Sequence, residues 1–439
     1  MNRKVLLYAS IAVAALSLAG CTGPCSKITA INAPALRSGS ADFSRYVGIG
    51  TSISAGFESG GLVDRHQIHA FPRLFASAAG SAAYTYPSIN GDGIPPLLAL
   101  KSLSPLVINN SGRTLGSPVN IGQATAYHDM GVPGALLFDV ADSTFYYSNP
   151  FGRPSTMFDI LVRHRGTILM QAMSLNPTFV TFELGANEVL GPATSGSGTV
   201  SVDVPTFAAL LAGTLTGLTA ALPNVKLALF KVPDVTSIPF VTTIKPYAVG
   251  PGGVHIPFLG SGGPLSESDH VLLTASDSLA VGTGVPVGAG GNGRPLADWQ
   301  VLTAAEASSI QNIIVGYNSA IAGAAAARGA ALVDLNGLLR QAASTGFEIG
   351  GVTYTSAFIS GGLFSLDGVH PNDLAHGILA NALIDAVNAT YGAVVPHVDL
   401  SEAATLTSSG IRRAREEGLD PSNLRGFHSE FLALFPWKR

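Results

Sequence analysis

Ser52 stands in Gly50-Thr51-Ser52-Ile53-Ser54-Ala55-Gly56, directly after an apolar run, and His370 stands far along the chain in Asp367-Gly368-Val369-His370-Pro371. A serine hydroxyl is a poor nucleophile until a base takes its proton. An imidazole does this best when a third group holds its tautomer. A serine at a strand-to-loop turn and an imidazole with a carboxylate three residues before it are the parts of such a centre. It would still lack donors for an oxyanion. Two glycine-containing segments between these motifs offer them: His128-Asp129-Met130-Gly131-Val132-Pro133-Gly134-Ala135 and Phe182-Glu183-Leu184-Gly185-Ala186-Asn187-Glu188. A backbone N–H asks for no particular side chain, and glycine lets a substrate come close. Spacing leaves both Gly131 and Gly134 open as that donor. The Asn187 amide can donate too, or can merely cap the next helix.

No serine of the chain has glycine both two before and two after it, so the nucleophile elbow Gly-x-Ser-x-Gly is absent. Instead the four segments, in this order, resemble the SGNH (GDSL-type) hydrolase family over roughly residues 44–395. The resemblance implies Ser52 as nucleophile, His370 as base and Asp367 as the group orienting it. It implies Gly134 and Asn187, with the Ser52 N–H, as the oxyanion hole. It also implies a three-layer α/β/α fold around a flavodoxin-like parallel five-stranded sheet. Three residues depart from the family pattern: Thr51 where Asp is usual, Ile53 for Leu, and Glu188 for a frequent Asp. The activity implied is carboxylic ester hydrolysis without a cofactor, on a lipid or an acetylated glycan, and Phe57 beside the nucleophile favours acyl esters of lipid type. Thr51 keeps one alternative open, an inactive relative that binds an acyl or glycan ligand in the same pocket.

Elements able to position these residues are visible as pattern. Tyr46–Gly50 reads as a strand, Pro177–Leu184 and Val225–Val232 as apolar β-rich runs, and Ala331–Leu335 as another after a helical stretch over 303–328. A further strand is expected just before Asp129. Alternation with helices over 70–79 and from 375 to 389 indicates a parallel sheet covered on both faces. Ligands of such sheets bind beyond the carboxyl ends of the strands, where all four segments should fall. Residues 84–123, rich in Pro and Gly, read as a long loop with one short helix near Leu97–Ser102. The Gly-rich stretch 245–297 reads as an insertion, either a cap over the site or a surface excursion. His376 reads as a packing or surface residue. Asp64, His66 and His69 read as a helix-start surface, and no ligand-spacing motif indicates a metal.

Composition bounds the remainder. Of 439 residues 47% are hydrophobic and 12% charged, with a net charge of −4, enough for a large core and against a nucleic-acid surface. Arg3 and Lys4, the apolar run from Val5 to Leu18, and Leu18-Ala19-Gly20-Cys21 form an export signal whose end resembles a bacterial lipobox. That resemblance implies lipidation of Cys21, membrane attachment through the anchor, and, with Thr22 next, an outer-membrane place in the cell envelope. The expected domains are a signal over 1–21, a tether over 22–43, a hydrolase domain over 44–395 and a C-terminal extension over 396–439. Cys25 is the second and last cysteine, so no disulfide within the domain is expected.

Overall fold

The computed structural model describes residues 35–416, apart from 82, 104, 145 and 147–155, together with residue 424. Cys21, Cys25 and the aromatic tail Phe431–Trp437 lie outside the described residues. Five strands form the central sheet: β1 (Tyr46–Gly50), β2 (Asp129–Gly131), β3 (Phe179–Phe182), β4 (Lys226–Phe230) and β5 (Ala331–Val333). Their order is β2-β1-β3-β4-β5 and every neighbouring pair is parallel. This is the flavodoxin-like order, in which winding reverses between β1 and β3 and leaves a crevice beyond their carboxyl ends.

The helices that bear on the site are α1 (Ser52–Ala55), α2 (Asp64–Gln67), α3 (Phe71–Ala78), α4 (Ala186–Thr194), α5 (Val204–Ala221), α6 (Ala304–Arg328), α7 (Asp373–Tyr391) and α8 (Ser401–Glu416). Strand residues alternate between two cores, as a period of two demands. Tyr46, Phe179, Ala228 and Phe230 pack with Phe71 and Phe75 of α3 and with Leu379, Leu383 and Val387 of α7. Val47, Ile49, Val180, Leu227 and Leu229 face the opposite layer, where Phe207 of α5 stacks on Tyr317 of α6 at 3.8 Å between ring centroids. α6 begins at a capping box, Thr303 with Glu306.

Several expectations need correcting. The second sheet strand begins at Asp129 instead of ending before it. The short helix expected near Leu97–Ser102 is an antiparallel hairpin, Ala99–Leu103 with Leu106–Asn109. Its Leu, Ala and Lys residues favour helix locally, but burying Leu106 and Ile108 on one side selects the extended form. The end of the expected tether is packed. Arg37 and Val394 exchange backbone hydrogen bonds of 3.2 and 2.7 Å, and the Phe43 ring meets Phe75 and Phe179 edge-on at 5.6 and 5.0 Å. Pro371 precedes α7, which starts at Asp373 under an Asn372 cap. His370 therefore sits in a turn outside the helix.

The Gly-rich stretch 245–297 holds short antiparallel pairs, and its residues Val271, Leu272 and Leu273 are fully buried in the larger core. Leu273 lies against Gly368, so part of this stretch buttresses the loop carrying His370. At the other end of the chain, α8 docks through Ala404 and Ile411, and Tyr354 donates its hydroxyl to the Ala404 carbonyl at 2.8 Å.

Were Phe43 part of a tether, its truncation would cost nothing. Packed as it is, Phe43→Ala should lower stability by about 3 kcal/mol, the low end for a buried aromatic ring. Urea unfolding of the two proteins measures the difference.

Candidate active site

Strand β1 ends at Gly50, and the chain turns at once into α1, so Ser52 is presented at the carboxyl edge of the sheet. Here α1 crosses β2 very closely. A Cβ on Gly131 would stand 2.6 Å from the Ala55 nitrogen and 2.8 Å from the Ser54 Cβ, which explains glycine at that position. The loop before α7 meets this turn from the other side. His370 Nε2 lies 2.9 Å from Ser52 Oγ, and His370 Nδ1 lies 2.9 Å from Asp367 Oδ2. The Phe57 ring covers the imidazole at 4.8 Å between centroids. All three polar side chains are buried, Asp367 completely.

A fully buried carboxylate survives only if its lone pairs are satisfied. Besides the imidazole, Asp367 accepts from the N–H groups of Gly60 (3.0 Å), Val369 (2.8 Å) and His370 (2.9 Å) and from the Ser365 hydroxyl (3.0 Å). Burial alone would push its carboxyl up. The adjacent His370 and the amide donors outweigh that and hold it below the usual carboxylate range.

The other two segments arrive at the same edge. Gly131 lies inside β2 with its N–H donating to Asp129 at 2.9 Å, whereas the Gly134 N–H makes no hydrogen bond among the described residues. The Ser52 N–H is likewise unengaged there. Of the two glycines that spacing left open, Gly134 is thus the one with a donor to offer. Asn187 is in the first turn of α4, and its buried amide donates to the Ala135 carbonyl at 2.8 Å. That bond uses one amide hydrogen and ties the Asn187 turn to the Gly134 turn. Gly185, immediately before α4, has φ +109°, and a Cβ there would meet Val232 and Phe207 within 2.9 Å. A cleft of about 580 Å³ opens beside Asn187, with Leu136, Phe138 and Pro192 among its walls.

Residues 46–383 match the family described as GDSL-like lipase/acylhydrolase. The chain belongs to this family. Membership carries the general activity, hydrolysis of ester substrates. Two solved structures are similar over 79% of this chain and 98% of their own. One, from Parabacteroides merdae, is described as a GDSL-like lipase, with 11% identity and a TM-score of 0.37. The other is an extracellular lipase from Streptomyces rimosus, with 12% identity and a TM-score of 0.34. No curated protein sequence matches the chain significantly.

Against the pattern of this GDSL-like family, the departure at Thr51 has a structural counterpart. Glu183, at the end of β3, accepts from the Thr51 N–H (3.0 Å), the Thr51 hydroxyl (2.9 Å) and the Ser54 hydroxyl (3.0 Å). A carboxylate missing at position 51 in sequence is present there in space. Sequence reading passed over Glu183, although its position two residues before Gly185 put it in the third segment. Glu188 in turn accepts from the Leu137 N–H at 2.6 Å and fastens α4 to the chain after Gly134. His376 is buried inside α7, where it accepts from the Phe71 N–H at 3.4 Å, and burial pushes its pKa down to about 4. Asp64 accepts hydroxyl hydrogens from Tyr86 and Ser88 at 2.9 and 2.8 Å.

Asp129, beside β1, is pushed by burial from 3.8 up to about 8, against the pull of the Gly131 N–H, with Glu183 adding to the rise. The folded state therefore holds a proton that the unfolded state releases. Its contribution is complete below about pH 4 and lost as pH rises through about 8. Asp129→Asn cannot ionise, so its melting temperature should fall less than that of the parent over this window, as differential scanning calorimetry at stepped pH would record.

Proposed function

We propose that the chain is a serine carboxylic ester hydrolase working through Ser52, His370 and Asp367. The supporting observation is the unbroken run of two 2.9 Å contacts from Asp367 through His370 to Ser52. In this reading Ser52 Oγ attacks the ester carbonyl while His370 Nε2 takes its proton. The proton then passes to the departing alcohol, and a water activated by the same nitrogen releases the acid. Asp367 keeps the Nδ1 proton in place and steadies the imidazolium. The Ser52 and Gly134 N–H groups and the Asn187 amide hold the tetrahedral oxyanion. A neutral base is required, so turnover falls in acid.

An inactive binding relative would have no need of a buried hydroxyl within hydrogen-bond reach of a carboxylate-held imidazole. As substrate we favour acyl esters of lipid type over acetylated glycans. Ile53, Val369 and Pro371, neighbours of the reacting residues, line an almost wholly apolar cavity of about 80 Å³ with Leu335, Leu339 and Phe347. Ser52→Ala should abolish both hydrolysis of aryl esters and labelling by a fluorophosphonate probe while leaving the circular dichroism unchanged. Asn187→Ala should lower kcat by about a hundredfold or more. A Ser52→Ala protein of full activity would end the proposal, and a panel of esters of rising chain length would separate acyl from acetyl substrates.

We place the enzyme in the cell envelope, anchored through lipid on Cys21, on the strength of the Leu18-Ala19-Gly20-Cys21 ending alone. Cys21→Ser should then lose incorporation of labelled palmitate and leave the membrane fraction. Retention of the label would remove the anchor.

A further inference from the structure

Behind the Asp367–His370 pair, two segments distant in sequence bring three ligand-type side chains together. Glu58 sits in a tight turn in which residues 58 and 61 exchange backbone hydrogen bonds of 3.0 and 3.1 Å. His66 is on α2, and Asp373 opens α7. One donor atom from each lies within 4.8 Å of the others. His66 Nδ1 is 3.1 Å from both Asp373 oxygens and 3.5 Å from Glu58 Oε2.

This cluster is poorly served by protein alone. Glu58 is 8% exposed, and its Oε2 has no hydrogen-bond partner. A ring nitrogen carries at most one proton, yet three carboxylate oxygens converge on His66 Nδ1. Among the described residues no lysine or arginine pairs with either carboxylate. The nearby Arg65 reaches the Gly91 carbonyl instead, at 3.5 Å. Two negative charges held this close with little water repel each other strongly, a repulsion that either a shared proton or a cation between them relieves.

The spacing suits such a cation. Ligand atoms around a tetrahedral zinc ion, bound at about 2.0–2.1 Å, stand roughly 3.3 Å apart. The contacts from His66 Nδ1, 3.1 and 3.5 Å, bracket that separation. Glu58 and His66 also line a groove of about 750 Å³ that provides an entry path and room for a fourth ligand from solvent. We infer that Glu58, His66 and Asp373 form a binding site for one divalent cation of the zinc class. No ligand-spacing motif announces the site, because each residue comes from a different element.

The cation would act as a clasp and not as a reagent. It would tie the start of α7, three residues beyond His370, to the turn whose Gly60 N–H holds Asp367. The test does not depend on the hydrolase reading. The full chain, purified in mild detergent and stripped with chelator, should take up one zinc per molecule by elemental analysis after gel filtration. Zinc should raise its melting temperature, since an ion bound only to the folded state stabilises it, and magnesium should not. His66→Gln, at a half-buried position, should keep its circular dichroism and bind zinc at least tenfold more weakly by titration calorimetry, and Glu58→Gln should do the same. Substoichiometric uptake without a rise in melting temperature would overturn the inference, as would undiminished affinity in a folded His66→Gln protein.

Discussion

A proton passes between side chains only across hydrogen-bond distance, and here that distance is the 2.9 Å between His370 Nε2 and Ser52 Oγ. Neither residue sets it locally. Ser52 is placed by the end of β1, and His370 by a turn leading into α7. The separation is therefore decided by how α7 seats on the sheet, through Leu379, Leu383 and Val387 against the aromatic layer of α3 and β3. Cores resist small displacements because they are close-packed. A side-chain geometry inherited from such a core is held far more firmly than one built on loops alone.

Seating the imidazole there obliges the fold to bury a carboxylate behind it. Asp367 is tolerated because its turn folds back to give it two amide hydrogens, while Gly60 supplies a third from the chain that follows Ser52. The Gly60 bond therefore does two things. It lowers the cost of burying the charge, and it joins the serine half of the site to the histidine half. Leu273, from the Gly-rich stretch, closes the turn from outside against Gly368.

What the sequence disclosed and what it hid divide along one physical line. β1, β3, β4, β5 and the helices α3, α6 and α7 were legible because each carries its own hydrophobic period and its own stop signal. That Ser52, His370 and Asp367 would meet, and that Gly134 and Asn187 would reach the same edge, was legible because each sits at a fixed offset from such a stop. The hairpin over 99–109 was misread, since local helix preference lost to burial of Leu106 and Ile108, which no short window contains. Phe43 was misread as tether because its partners, Phe75 and Phe179, lie far away in sequence. Glu58, His66 and Asp373 converge for the same non-local reason.

Thr51 and Glu183 show how such non-local information alters the meaning of a substitution. Parallel pairing sets Ile49 opposite Phe182, so the residues that follow this pair, Gly50 with Thr51 and Glu183, necessarily meet. In this buried place Glu183 takes every hydrogen that Thr51 offers, and burial still pushes its carboxyl upward against those bonds. An aspartate at position 51 would set a second carboxylate within about 3 Å of the first, a repulsion that water cannot screen. Threonine instead donates, and so satisfies the charge it faces. The residue that departs from the family pattern is one that suits the carboxylate at the end of β3.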